Sequence, residues 1–204
     1  MTAILKVDTI QDTAGNNIIN ESSDTITIGA SGDTTNIVGT LQNNGSAVAT
    51  TNGITVADQW RITAAHDGIG YITANWERID TDQPGLIGSA MTQSSGVFTF
   101  PSTGTYLVTF VTDFDANSAN LTYITAQMSV TPDNSNYSST ASASDSAEAG
   151  YNASVTVTAL VNVNNTTNVK MKFYVGGSGE QFSANGNTGY TRTGVTFIRL
   201  GDST

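Results

Sequence analysis

A single stretch, residues 96–110, constrains the fold of this 204-residue chain more than any other part of it. It reads GVFTFPSTGTYLVTF, in which Pro101 and Gly104 separate two runs of Val, Thr and aromatic residues. Val, Thr, Phe and Tyr favour strands, whereas Pro and Gly interrupt them. The stretch therefore predicts a short strand, a tight turn and a longer strand.

The longer of these two strands has two largely apolar faces, because side chains alternate along a strand. These faces are Tyr106, Val108 and Phe110 on one side, and Leu107, Thr109 and Val111 on the other. In a lone two-layer sandwich such a strand presents one polar face to solvent. We therefore expect it to be covered twice, by the core of its own domain and by another copy of the chain.

The Gly, Pro and aromatic residues of the stretch follow the pattern Gly-x-Phe-x-x-Pro-x-x-Gly-x-Tyr-x-x-x-Phe. This pattern resembles the hallmark of the jelly-roll family that includes the complement globular head and tumour necrosis factor. Residues 75–79, 153–155 and 191–198 resemble further strands of that family in the same order, so the resemblance spans residues 57–201. It implies an all-β jelly-roll sandwich of ten strands that assembles as a homotrimer.

The apolar pattern and the resemblance together predict which residues fill the core or the trimer contact. They are Phe98, Phe100, Tyr106, Val108, Phe110, Phe173 and Phe197.

Other segments also carry the pattern of strands. Residues 154–163 alternate between apolar and polar side chains, with Leu160 as the exception. Because this segment has one solvent face, we expect it in the outer sheet, apart from the doubly apolar strand. Further strands are expected at residues 121–130, 169–175 and 195–200.

The first quarter of the chain differs from the rest. All sixteen aromatic residues (two Trp, seven Tyr and seven Phe) lie at position 60 or later, so residues 1–59 have little from which to build a core. They do contain short apolar clusters separated by Gly and Asn, which predict short strands that need partners. Residues 5–10 and 25–29 resemble the N-terminal segments of phage tail-fibre proteins. We interpret residues 1–53 as a trimeric β-stalk that anchors the chain to a virion, with a flexible linker as the alternative, and residues 54–204 as the tip domain.

Composition excludes several classes of protein. The chain has no Cys, a net charge of −10 and only seven scattered Lys and Arg residues, which argues against disulfides and against nucleic-acid binding. No apolar run approaches 18 residues, so no membrane insertion is predicted. The first residues lack the apolar core of a signal peptide, and we expect synthesis in a host cytoplasm.

The residues of common catalytic sites are scarce. His66 is the only His, and no nucleophile motif surrounds any Ser, so neither a zinc site nor a Ser–His–acid site is expected. Glu77, Glu148 and Glu180 are isolated, which gives no support to a jelly-roll enzyme that degrades polysaccharides. We predict a non-enzyme without cofactors.

Asp113 and Asp115 are the candidates for a metal site, because they share one strand face and supply the oxygen ligands that calcium prefers. The alternative is a strand end with two solvated acids.

Two long polar segments, residues 131–150 and 176–190, are predicted to be loops. The aromatic residues inside these segments or at their edges, Tyr137, Tyr151, Phe182 and Tyr190, are the candidates for receptor binding, since exposed rings among small polar residues suit saccharide or protein surfaces. The alternative is that these rings pack back on the sandwich.

These features together resemble a short phage tail fibre. The expected protein is a homotrimer in a virion, which attaches to other virion proteins through its N-terminus and to a host-surface glycan or protein through its jelly-roll tip. The alternative is a capsid or neck decoration protein or fibre with no receptor role.

Overall fold

The structure, a computed structural model, describes residues 9–11, 13–15, 17–22, 25–28, 32–38, 40–44, 46–47, 53–81 and 85–204. Every regular element in these residues is a β-strand, so the predicted all-β class is confirmed. The described residues contain no helix that could cross a membrane. The chain divides into two compact units, an N-terminal unit, Met1–Asn52, and a C-terminal unit, Gly53–Thr204.

The N-terminal unit contains five short strands in its described residues. They are β1 (Thr9–Gln11), β2 (Asn17–Ser22), β3 (Thr25–Ile28), β4 (Gln42–Asn43) and β5 (Ser46–Ala47). The first three form an antiparallel sheet in which Ile19 lies opposite both Ile10 and Ile28, and the last two pair with each other. All three of these isoleucines are exposed within the chain. Residues 5–8 and 29, used above to predict the stalk, lie outside the described residues.

The C-terminal unit contains both short strands and strands longer than any described in the N-terminal unit. In chain order they are β6 (Ala57–Ile62), β7 (His66–Asp67), β8 (Gly70–Tyr71), β9 (Trp76–Arg78), β10 (Thr92–Ser94), β11 (Val97–Thr99), β12 (Gly104–Asp115), β13 (Leu121–Thr131), β14 (Ser138–Ala147), β15 (Asn152–Val163), β16 (Lys170–Gly177), β17 (Ser183–Ala184) and β18 (Gly194–Gly201).

These strands form two antiparallel sheets. A six-stranded sheet has the order β10–β11–β16–β13–β14, with β8 also paired to β16. A seven-stranded sheet has the order β7–β17–β12–β18–β6–β9, with β15 also paired to β12. The sequence stretch that opened the analysis supplies β11 to the first sheet and β12 to the second, and the turn after Pro101 carries the chain between them.

The core lies between the two sheets and is rich in aromatic rings. The seven residues predicted for the core or the trimer contact are all buried inside the single chain. The ring of Phe98 lies 5.0–5.5 Å from the rings of Trp60, Trp76, Phe173 and Phe197, measured between centroids. These rings come from both sheets, so Phe98 joins the two layers.

One buried carboxylate organises the polar part of the interior. The Asp58 side chain is fully buried and accepts hydrogen bonds from Trp60 Nε1 at 3.1 Å, Arg78 Nε at 3.0 Å and the Met91 backbone N–H at 2.8 Å. The three donors satisfy a charge that would otherwise be costly to bury. The pairing ties β6 and β9 to the segment that precedes β10.

The placement of residues 154–163 in the outer sheet was wrong. Strand β15 pairs with β12 along the full length of both strands, from Gly104–Val163 to Asp115–Asn152. The predicted alternation itself is confirmed, since Val155, Val157, Val161 and Val163 are buried. Alternation reports which face of a strand is buried and does not identify the partner strand, so it could not assign β15 to a sheet.

The prediction of a loop at residues 131–150 was also wrong. Half of this segment is β14, an edge strand that pairs with β13 and carries the sequence SSTASASDSA. Ala141, Ala143 and Ala147 pack against the core, while the intervening polar residues face solvent. The second predicted loop is shortened in the same way, since Gly176 and Gly177 end β16 and residues 183–184 form β17.

The turn before β11 gives a direct test of this packing. Gly96 has a positive φ of 76°, and a Cβ atom there would lie 2.2 Å from the backbone oxygen of Ile72. We expect Gly96→Ala to lower the free energy of unfolding by about 2 kcal/mol or more, from backbone strain and this clash. The measurement is urea unfolding of the full chain.

Gly201→Ala is the matched control, because Gly201 lies in β18 and a Cβ atom there meets nothing within 4 Å. Equal unfolding midpoints for the two variants would show that the turn is not packed as described.

Candidate binding surfaces of the C-terminal unit

The outward face of the seven-stranded sheet carries an apolar row. Strand register places Leu160 of β15 and Ile198 of β18 on either side of Leu107 of β12. Leu160 is 63% exposed, and the other two are partly buried. A groove of about 170 Å³ on the same sheet is lined in part by Thr109 and Val111. The second face of β12 is therefore apolar around Leu107 and is only partly covered by the described residues of its own chain.

A polar depression of about 660 Å³ lies at the end of β12 that carries Asp113. The Asp113 carboxylate forms an ion pair with Arg192 and accepts a hydrogen bond from Asn152 Nδ2 at 3.0 Å. Burial raises the pKa of Asp113, but hydrogen bonds from Arg192, Asn152 and Asn185 outweigh it and lower the pKa below its ordinary value. Asp113 is thus ionised and already neutralised by a guanidinium.

This arrangement does not favour calcium. Asp113 faces the cation of Arg192, and Asp115 accepts a hydrogen bond from the backbone N–H of Asn117 at 2.8 Å. No group of three or more His, Cys, Asp or Glu side chains suited to a metal ion occurs among the described residues. The alternative reading, a strand end with acids held by local partners, describes the geometry better.

The four aromatic candidates for receptor binding do not lie together. Tyr190 is 61% exposed and lines the depression beside Asn152, whose chain neighbour Tyr151 is 66% exposed. Tyr137 is partly buried and packs over Lys172 of the other sheet.

The prediction that Phe182 is an exposed contact residue was wrong. Its side chain is fully buried, and its ring lies 5.6 Å from that of Phe114, edge to face. The polar and glycine-rich residues around it suggested an exposed loop, but they only allow the chain to turn while the ring enters the core.

The outward face of the six-stranded sheet holds a cluster that the sequence analysis did not select. The Lys172 ammonium lies 4.1 Å from the ring centroid of Tyr137 and 5.4 Å from that of Tyr71. Tyr71 and Tyr174 lie opposite each other in neighbouring strands, with centroids 5.3 Å apart. The signal in the sequence was the alternation Lys-x-Lys-x-Tyr at residues 170–174, which places these three side chains on one face.

Tyr137 keeps its proton on this face at neutral pH. Burial, with a smaller contribution from Tyr71, raises the pKa of the Tyr137 phenol above its ordinary value. The hydroxyl therefore remains a hydrogen-bond donor and acceptor rather than a charged group.

His66 has no catalytic arrangement around it. Burial lowers the pKa of His66, partly opposed by the charge of Asp67, so the ring is neutral at pH 7. Its Nε2 atom is buried without a hydrogen-bond partner in the described structure. The neighbouring hydroxyl of Ser183 donates to Asp67 at 2.7 Å and not to His66, so no Ser–His relay is formed.

Comparisons with known proteins identify relatives by structure alone. No protein-family model matches the chain. No curated protein matches it.

Solved structures do match. Murine APRIL, crystallised at pH 5.0, has a TM-score of 0.53 and 10% identity, with 71% of this chain and 98% of that chain covered. The Eiger TNF of S. frugiperda has a TM-score of 0.54 and 13% identity, with 74% of this chain and 96% of that chain covered. At these identities the likeness establishes the fold, and the predicted jelly roll of the tumour necrosis factor type is confirmed.

Proposed function

We propose that this chain is a non-enzymatic, homotrimeric virion protein of the tail-fibre kind. In this proposal the N-terminal unit attaches to the particle, and the jelly-roll unit forms the tip that contacts the host surface. The resemblance of residues 5–10 and 25–29 to the N-terminal segments of phage tail fibres supports the virion setting.

The apolar row of Leu107, Leu160 and Ile198 is the observation that carries the proposal of self-association. Isolated exposed leucines are common, but an apolar row across three adjacent strands is a feature of contact surfaces. The jelly-roll family that the sequence resembles is almost always homotrimeric, and this face supplies apolar area for such a contact. An obligate interface buries on the order of 2,000 Å² or more.

The N-terminal unit also supports self-association. Its described side chains with an assigned exposure are all exposed, including the isoleucines that lie side by side on β1, β2 and β3. Short strands that bury no core need partners to be stable. Three copies around one axis, or a docking protein of the particle, would supply that burial.

The pairing of carboxylates with arginines supports a non-enzymatic role. In the C-terminal unit Arg61 pairs with Glu77 and Asp80, Arg78 with Asp58, Arg192 with Asp113 and Arg199 with Asp202. A glycosidase needs two free carboxyl groups that face each other across a groove. The five carboxylates in these pairs serve structure and are not free for that role, which favours adhesion over catalysis.

The subunit contact is tested by Leu160→Asp. The side chain is mostly exposed in the single chain, so the change should cost the fold of that chain about 0.5 kcal/mol or less. In an assembled trimer it would place an unpaired charge in an apolar contact, which is strongly unfavourable. We expect light scattering to show a trimer for the natural chain and a monomer for the variant at micromolar concentration.

Leu86→Asp is the matched control, since Leu86 is similarly exposed but lies outside the apolar row. It should leave the trimer intact. A natural chain that is a stable monomer, or a Leu160→Asp chain that still forms trimers, would contradict the proposed contact.

The role of the N-terminal unit is tested by a chain that begins at Thr55. All aromatic residues remain in it, and it retains nearly the whole C-terminal unit. We expect it to fold, to trimerise and to be absent from virus particles, as measured by immunoblots of purified particles. Incorporation as efficient as that of the full chain would refute the anchor.

The host contact is tested by competition. The trimer that begins at Thr55 should block adsorption of the particle to its host, and Tyr151→Ala with Tyr190→Ala should weaken that block because both rings are exposed at one end of the unit. Tyr123→Ala, an exposed tyrosine on the other sheet, is the control. If the natural tip does not block adsorption, the chain decorates the particle without binding the host.

A further inference from the structure

The cations of the C-terminal unit divide into two groups. All four of its arginines form ion pairs with carboxylates. Its two lysines, Lys170 and Lys172, form none with any described residue. A chain of net charge −10 has an excess of acids with which to neutralise them, so two unpaired lysines on one strand stand out.

Both lysines lie on the outward face of the six-stranded sheet among neutral partners. The residues opposite them on β13 are Thr131 and Ser129, and Thr99 of β11 lies opposite Lys170. Lys170 Nζ donates to Thr99 Oγ1 and to the Thr166 carbonyl oxygen, both at 3.0 Å, which holds the ammonium in place. The Lys172 ammonium instead contacts the rings of Tyr71 and Tyr137.

The carboxylate that follows β13 does not neutralise the two lysines of this face. Asp133 follows the end of β13, and its carboxylate accepts hydrogen bonds from the backbone N–H groups of Ser135 and Asn136 and from Thr131 Oγ1. These bonds close the turn that leads to Tyr137. Asp133 forms no ion pair with either lysine among the described residues.

The tyrosines add partly exposed rings and hydroxyl groups to this face. Tyr71, Tyr137 and Tyr174 are all partly exposed, and the hydroxyl of Tyr71 donates to Ser129 Oγ at 3.3 Å. Gln127 lies opposite Tyr174 and donates to the same Ser129 oxygen at 3.2 Å. The face therefore combines partly exposed rings, hydroxyl and amide groups, and two positive charges.

We propose that this face binds an acidic saccharide, with Lys172 and Lys170 facing the sugar carboxylates and the three tyrosines packing against the apolar faces of the sugar rings. A sugar ring offers C–H groups to an aromatic ring and hydroxyls to polar side chains, and a lysine suits a single carboxylate as a point charge. Nucleic acid is disfavoured, because arginine is the side chain best suited to phosphate groups and all four arginines of this unit are already paired with carboxylates.

The inference rests on the proposed adhesion function and gives the tip a second contact, distinct from the host contact tested at Tyr151 and Tyr190, with a ligand of this chemical class. It also uses a face that the proposed trimer leaves free, because the apolar row lies on the other sheet. The site is separate from the depression beside Tyr190, so each can be removed without the other.

The test is calorimetric titration of the full chain with hexagalacturonate. We expect binding that weakens as NaCl is raised from about 20 to about 200 mM, since exposed charges are screened over that range. The fully methyl-esterified hexamer keeps the sugar rings and loses the charges, and it should bind about tenfold or more weakly. Equal binding of the two hexamers would overturn the assignment of the lysines.

Lys172→Met keeps most of the side-chain stem and removes the charge, and we expect affinity about tenfold or more lower. Lys172→Arg keeps the charge and should retain most of the affinity. Lys6→Met, at the remaining lysine of the chain, makes the same change in net charge and should have no effect. Urea midpoints of all variants separate loss of binding from loss of the fold.

Two results would overturn the proposal. One is an unchanged affinity in a folded Lys172→Met chain, and the other is a natural chain that does not bind hexagalacturonate. Neither result depends on the host, so failure here is distinct from failure of the adsorption test. A tip that binds hexagalacturonate but does not block adsorption would refute the adhesion function and leave the saccharide site in place.

Discussion

The packing of Phe98 is the contact on which the rest of the C-terminal unit depends. Its ring meets Phe173 from its own sheet and Trp60, Trp76 and Phe197 from the opposite sheet. Aromatic rings bury large areas and contribute further through their edge-to-face geometry. Since this core holds both sheets by their inner faces, each sheet is left with an outer face that the core does not determine. The proposed subunit contact and the proposed saccharide site lie on those outer faces.

The two outer faces differ in chemistry, and the difference follows from the strands that form them. On the seven-stranded sheet, the register of β15, β12 and β18 aligns Leu160, Leu107 and Ile198 into an apolar row. On the six-stranded sheet, alternation along β16 sets Lys170 and Lys172 beside tyrosines that come from distant parts of the chain. One face suits a second copy of the chain, and the other suits an anionic ligand, so subunit contact and ligand contact need not compete for surface.

Local patterns in the sequence predicted the features that depend on neighbouring residues, namely where a strand forms and which side of it is buried. The strands of residues 96–110 and the buried side of β15 follow from alternation and from Pro and Gly, and the structure confirms them. Pairing between distant strands is not encoded locally, which is why the sheet of β15 was misassigned. Composition misled at β14 and Phe182, because serine, alanine and glycine are common in loops. The contact of Lys172 with Tyr71 and Tyr137 joins residues 35 or more positions apart, and no spacing rule reveals it.

Strand β14 has a consequence for how such a protein can change over time. Its inward contacts are made only by the methyl groups of Ala141, Ala143 and Ala147, and its outward positions are small and polar. Those outward serines can be replaced without disturbing the core, since backbone pairing with β13 fixes their place, and Ser144 adds a side-chain hydrogen bond to Thr125 at 2.7 Å. Substitutions along β14 can therefore change binding specificity, because the backbone of the strand keeps its position while its outward side chains change.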